Sequence, residues 1–215
     1  AVAAAVDRHL ADGPSRAINY LGAGGNIQSV SLGLDLLGTV EASGGDIGTV
    51  DVGRDVGADA VIQADYLYTQ GGSIGTVTVA EDMLGDILAD WHDTNTTATI
   101  GTINIGGDLG HAGGLVHIGG NLNRLTVSSR GGAADLLSDL RVDGTAGGLS
   151  IGSRRDGGGV FGDIEVGGSL KTLMVAGDVS ANVVVHGDVS RAAVWGDLSL
   201  IHISEPTRLG MISYA

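Results

Sequence analysis

Seven aspartates recur at turns, six in Gly-x-Asp or Gly-Asp and Asp82 in Ala-Glu-Asp: Asp35, Asp55, Asp82, Asp108, Asp178, Asp188 and Asp197. A carboxylate in such a turn has two uses. It can accept backbone N–H groups and close the turn. If the turns stack as one column, unit charges ~4.8 Å apart also repel by about 0.9 kcal/mol in water. A hard cation with oxygen ligands removes that repulsion. The aspartates are therefore either turn caps or a calcium ladder. The Gly-Gly-x-Gly-x-Asp pattern of calcium-binding β-rolls is absent.

The second charged group is cationic. Arg124, Arg130, Arg141, Arg154 and Arg155 make up five of the 11 basic residues on a chain of net charge −14. Such a patch on an acidic molecule can hold an anionic polysaccharide or a protein partner. Its plainer reading is solubilising charge scattered over loops. The overall balance, with Lys171 the single lysine, argues against a nucleic-acid partner, because phosphate contacts need a basic face. No run of 18 apolar residues predicts a membrane span.

Two short motifs resemble catalytic or cofactor signatures. Gly71-Gly-Ser73-Ile-Gly75 has the Gly-x-Ser-x-Gly spacing of a nucleophile elbow, which needs a strand, a sharp turn and a helix. Ser73 instead takes a place that Asn26, Asp46 and Asn121 fill elsewhere, which marks a turn residue. Gly157-Gly-Gly159-Val-Phe-Gly162 has dinucleotide-loop spacing, but it leads into Ile164 and Val166, a strand pattern. His92, His111, His117 and His186 show no i, i+4 ligand spacing. Absence of cysteine excludes thiolate metal sites and disulfides. Ser29, Thr49, Thr76, Thr102, Arg124 and Thr172 form a polar column, which reads as an ordinary solvated strand face.

The elements that position these residues come from a repeat, Ile-x-x-Val-x-Val-Gly-x-Asp-Val/Leu. Copies start at Ile27, Ile47, Ile74, Ile100, Leu122 and Leu170, spaced 20, 27, 26, 22 and 48 residues, the last about two periods. A period of 20–50 residues marks a solenoid. Within each copy apolar and polar residues alternate, as in Thr49-Val50-Asp51-Val52, the sign of a half-buried strand. Glycine is abundant, 39 residues, while aromatics are only 3%, which suits short β-branched strands joined by tight turns. Each period predicts two or three short strands, and the stack is an all-β parallel β-helix of roughly eight coils, a rod near 40 Å long. Three interior columns follow, headed by Ile27, Val30 and Leu32.

Three stretches break the rhythm: Asp90–Thr97, Ser128–Gly148 with a short helical turn over Ala133–Leu140, and a flexible loop at Ser153–Gly159. Residues 1–25 are expected to form a cap or the end of a preceding region, with a short helix over Ala1–Asp12. Residues 26–200 form the repeats. Ile201–Ala215 shares no motif with them and resembles a translated sequencing-adapter tail. An exposed strand edge near Leu200 would allow end-to-end self-association.

With its repeats in hand, Asn26–Leu200 resembles the Gly/Asp-rich β-helix regions of large bacterial surface and secreted proteins, including adhesin and autotransporter passengers. The run Ile164–Val189 also resembles the bactofilins, which polymerise end to end. The first resemblance implies a non-enzymatic stalk or adhesive segment outside the cell. The alternatives are a polysaccharide-binding or polysaccharide-cleaving β-helix and a self-assembling filament.

Overall fold

The structure is a computed structural model describing residues 5–8, 18–64, 72–90, 98–203 and 212–214. Among the described residues, all regular elements are strands. Ten form sheet A, in the order β1 (Ala5–Arg8), β3 (Ile27–Leu32), β5 (Ile47–Val52), β7 (Ile74–Val79), β9 (Thr99–Ile105), β11 (Asn121–Val127), β13 (Ala146–Ile151), β15 (Leu170–Val175), β17 (Val189–Val194) and β19 (Ile212–Tyr214). Nine form sheet B: β2 (Ile18–Ala23), β4 (Leu36–Ala42), β6 (Val61–Ala64), β8 (Asp86–Ala89), β10 (Leu115–Ile118), β12 (Asp139–Val142), β14 (Ile164–Val166), β16 (Val179–Val185) and β18 (Leu198–Ile203). Odd strands pair only with odd and even only with even, all parallel, so each coil crosses from one sheet to the other and returns one strand higher. This is a parallel β-solenoid.

A third, narrower side lies between the two sheets. There single parallel bridges link Leu36, Val56, Met83, Leu109, Leu136, Val160 and Val179 in turn. Each side chain in that row is buried. The core is thus walled on three sides by stacked aliphatic rows.

The interior rows on sheet A run as the spacing predicts. Ile27, Ile47, Ile74, Ile100 and Leu122 are in register, as are Val30, Val50, Val77, Ile103 and Leu125. The row headed by Leu32 continues through Val52, Val79, Ile105 and Val127. Parallel sheets are usually covered on both faces and read as continuous apolar runs. Here β5 alternates buried and exposed residues, with Ile47, Val50 and Val52 inside and Thr49 and Asp51 outside. One face is open to solvent, so the alternation survives in the sequence.

The 48-residue gap between Leu122 and Leu170 holds a full coil, as its length of two periods predicts, although the repeat motif does not mark its residues. Ala146, Leu149 and Ile151 of β13 fill its three interior positions, between β11 and β15. The helical turn expected over Ala133–Leu140 does not form. Leu136 is a bridge residue of the narrow side, and β12 begins at Asp139. Local helix propensity is a weak prior, and here Leu136 N–H bonds Gly159 carbonyl at 2.9 Å and Leu137 N–H bonds Leu109 carbonyl at 2.8 Å. Bonding to the neighbouring coils wins.

The Ser153–Gly159 stretch is a closed turn rather than an open loop. An antiparallel bridge joins Ser153 to Gly157, and Ser153 Oγ donates to Asp156 Oδ2 at 3.0 Å. At the ends, Ala5–Arg8 is a strand paired with β3, where a helix was expected. Strand β18 runs on to Ile203 beside β16, and β19 pairs with β17. The polar excursion after Asp90 lies outside the described residues.

Candidate binding face

The aspartates act at the corners, where a parallel ladder must break. In a straight pair the carbonyl of the preceding residue accepts the neighbour's N–H. At these corners the acceptor of the neighbour's N–H is a side-chain oxygen instead. Asp82 N–H donates to Asp55 Oδ1 at 2.9 Å, Asp108 N–H to Asp82 Oδ1 at 2.8 Å, and Asp135 N–H to Asp108 Oδ1 at 2.8 Å. The row starts at Asp35, whose Oδ1 accepts from Asp55 N–H at a longer 3.4 Å. It ends with Asp197 N–H donating to Asp178 Oδ1 at 2.8 Å. Asp135, which lacks the preceding Gly-x, belongs to this row and bonds Gly159 N–H at 2.7 Å.

Asp188 does not belong to it. Asp188 stands at a second corner, before sheet A, and its N–H donates to Ser169 Oγ at 3.2 Å. That corner reuses the device with mixed residues: Asp46 N–H bonds Asn26 Oδ1, Ser73 N–H bonds Asp46 Oδ1, and Thr99 N–H bonds Ser73 Oγ. Ser73 is therefore a corner residue whose hydroxyl accepts a backbone bond, in a strand–turn–strand setting. A third corner uses Asp86, Asp139 and Asp163, whose Oδ1 atoms accept from Leu115, Asp163 and Asn182 N–H. Among the described residues, no three His, Cys, Asp or Glu side chains come together as a metal-holding group.

The five arginines are not one patch. Arg124 projects from the outer face of sheet A on β11, and Arg141 from sheet B on β12. Arg141 Nε donates to Asp143 Oδ1 at 2.8 Å, and His117 Nε2 lies 3.2 Å from Asp143 Oδ2. Burial raises the Asp143 carboxyl, but the hydrogen bonds and charges of Arg141 and His117 outweigh it and hold it below the usual range. Arg141 is held above its own by Asp143. Arg130, Arg154 and Arg155 are exposed on the turns that leave sheet A. Arg154 reaches across the intervening coil, and its guanidinium sits 4.2 Å from the centre of the Trp195 ring.

The register places other cations beside Arg124. Its outward row runs Thr49, Thr76, Thr102, Arg124, Gly148, Thr172 and Arg191. Around Gly147 and Gly148 of β13 the face sinks into a depression of about 440 Å³, lined by Arg124 on one side and Lys171 on the other. The sequence does not single out Lys171 and Arg191 as neighbours of Arg124, because the repeat motif does not mark the β13 strand. Its register sets Lys171 across the depression from Arg124 and Arg191 three steps along the same row.

Comparisons with family models, curated proteins and solved structures find no match to this chain. No helix among the described residues is long and apolar enough to cross a membrane.

Proposed function

We propose that this chain is a non-enzymatic structural and adhesive β-solenoid segment of a larger extracellular bacterial surface protein. The observation that carries the reading is the unbroken register from Ile27 to Val189, seven steps of ~4.8 Å or about 34 Å along the axis. A stack whose corner carboxylates are committed to backbone bonds is a scaffold, and its long open sheet supplies an extended contact surface. The acidic charge, −14, favours solubility and discourages nonspecific contact with nucleic acid.

The test is incubation with a panel of acidic and neutral polysaccharides. The chain should retain polymer without releasing reducing ends or unsaturated sugars. Cleavage that follows the protein through purification would replace this reading with the polysaccharide-cleaving one. A self-assembling filament is the second reading, favoured by the terminal strands of both sheets, which pair on one side only among the described residues. Concentration-dependent fibres in electron micrographs would support it.

A further inference from the structure

The geometry points to the depression between Arg124 and Lys171 on sheet A as a binding site for a carboxylated, uronate-bearing polysaccharide. This rests on the adhesive reading of the rod and names its ligand. Charge is the first ground. The chain carries 25 Asp and Glu residues, yet strands β7, β9, β11, β13, β15 and β17 hold none. The same strands carry Arg124, Lys171 and Arg191. On this stretch of sheet A, beyond the Asp51 of β5, the sign of the molecule is reversed, so an anion that is repelled elsewhere is drawn here.

Shape is the second ground. Gly148 occupies a row in which Thr102 and Thr172 have side chains, and its missing side chain opens the floor. The volume, about 440 Å³, falls within the ~300–1,000 Å³ of ordinary ligand clefts. Strands β11 and β15 are two steps apart, ~9.6 Å along the axis. Cations on β11, β15 and β17 follow that axis, so a polymer with charges repeating along its length meets more than one.

Lining chemistry is the third ground. Asn123, Thr126, Ser150 and Thr172 border the depression and offer the neutral donors and acceptors that sugar hydroxyls need. An arginine fork suits a planar carboxylate. No aromatic side chain lines the site, so nucleobases would find no stacking platform.

The test is calorimetric titration of a galacturonan oligosaccharide into the full chain, alongside two variants. Arg124→Ala with Lys171→Ala removes the charge. Gly148→Thr fills the floor; a Cβ at Gly148 meets nothing within 4 Å, so the fold tolerates it. Saturable binding that weakens with added salt, falls at least tenfold in both variants, and is unchanged in Arg155→Ala is the expected result. A neutral galactan of equal length should bind at least tenfold more weakly. Galacturonan affinity unchanged in both variants overturns the site, as does equal affinity for galactan or tighter binding to phosphatidylglycerol vesicles or single-stranded DNA. If galacturonan fails but neutral polysaccharides are retained, this inference falls and the adhesive reading stands. If no polysaccharide is retained, both fall.

Discussion

Asp82 N–H donates to Asp55 Oδ1 across one coil step at 2.9 Å, and Asp82 carbonyl accepts from the residue after Asp55, Val56 N–H, at 2.8 Å. Backbone and side chain thus share one corner, and the pair propagates to Asp108 by the same two bonds. The carboxylate does the work of a missing ladder carbonyl.

Asp82→Ala should therefore cost about 1–2 kcal/mol, because Asp108 N–H loses its acceptor in a partly buried corner. Asp82→Asn keeps Oδ1 as an acceptor and removes one of several neighbouring like charges, so it should stay within about 0.5 kcal/mol of the parent. Urea denaturation of the three proteins separates these outcomes. Equal losses in Ala and Asn would mean that charge, not hydrogen bonding, is what the corner needs. Calcium titration is the companion measurement. On the turn-cap reading millimolar calcium leaves the melting temperature unmoved, and a saturable rise would restore the metal ladder.

Val50 is fully buried in the central row of sheet A, stacked between Val30 and Val77. Val50→Asp would place an unpaired charge there and should cost several kcal/mol, enough to abolish cooperative unfolding at 37 °C. A melt within a degree of the parent would show that the interior rows are misassigned.

The rows were legible because one side of each strand faces water. Alternation then marks the inward residues, and Ile47, Val50 and Val52 stand out from Thr49 and Asp51. The β13 coil was legible in the two-period spacing but not in its residues, since Ala146 and the glycines at 147 and 148 replace the bulky start of the repeat. Without those residues the placement of Lys171 and Arg191 relative to Arg124 was hidden. Asp188 was misplaced for a related reason. In the last coils Gly-Asp marks successive corners at Asp178, Asp188 and Asp197, so one motif serves two rows. Gly162-Asp163 carries that motif at a third corner, whereas Asp139 follows Leu137-Ser138 and is defined by register rather than by local sequence.

Arg154 and Arg155 are adjacent but differ in what they touch. Taken as free loop charges, both would be silent on truncation. The structure gives Arg154 a partner in Trp195 at 4.2 Å, a contact of about 0.5–1 kcal/mol at an exposed site. Arg154→Ala should lower stability by that amount, and Arg155→Ala should not. A double-mutant cycle with Trp195→Leu should recover the coupling between the pair. A coupling indistinguishable from zero would remove the contact.

Asp143 links stability to pH. Its carboxyl is held low in the folded chain by Arg141 and His117 against the opposing effect of burial. A group whose folded value lies below its unfolded ~4 stabilises the fold above that unfolded value. The contribution disappears as pH falls through the lower folded value. Because Asp143 is largely exposed, the effect is small and screened by salt. Asp143→Asn should flatten the acid side of the stability curve, with the difference from the parent disappearing as pH falls through the lowered folded value. A difference that persists unchanged at lower pH would mean that the residue acts through packing instead of charge.

Glycine is required at some places on this sheet and not at others. A Cβ at Gly75 would run into the carbonyl oxygen of Gly48 in the preceding coil, whereas one at Gly148 meets nothing within 4 Å. The backbone carbonyl cannot swing aside without giving up its place in the ladder. Gly75→Ala should therefore cost about 1–3 kcal/mol through overpacking. Gly148→Ala should be neutral or stabilising by about 0.4–1 kcal/mol, because it lowers the entropy of the unfolded chain at no steric cost. Two thermal melts decide the point. If both substitutions destabilise alike, glycine serves the sheet through its conformational freedom, and the depression beside Arg124 is then a by-product of that need and not an opening kept clear.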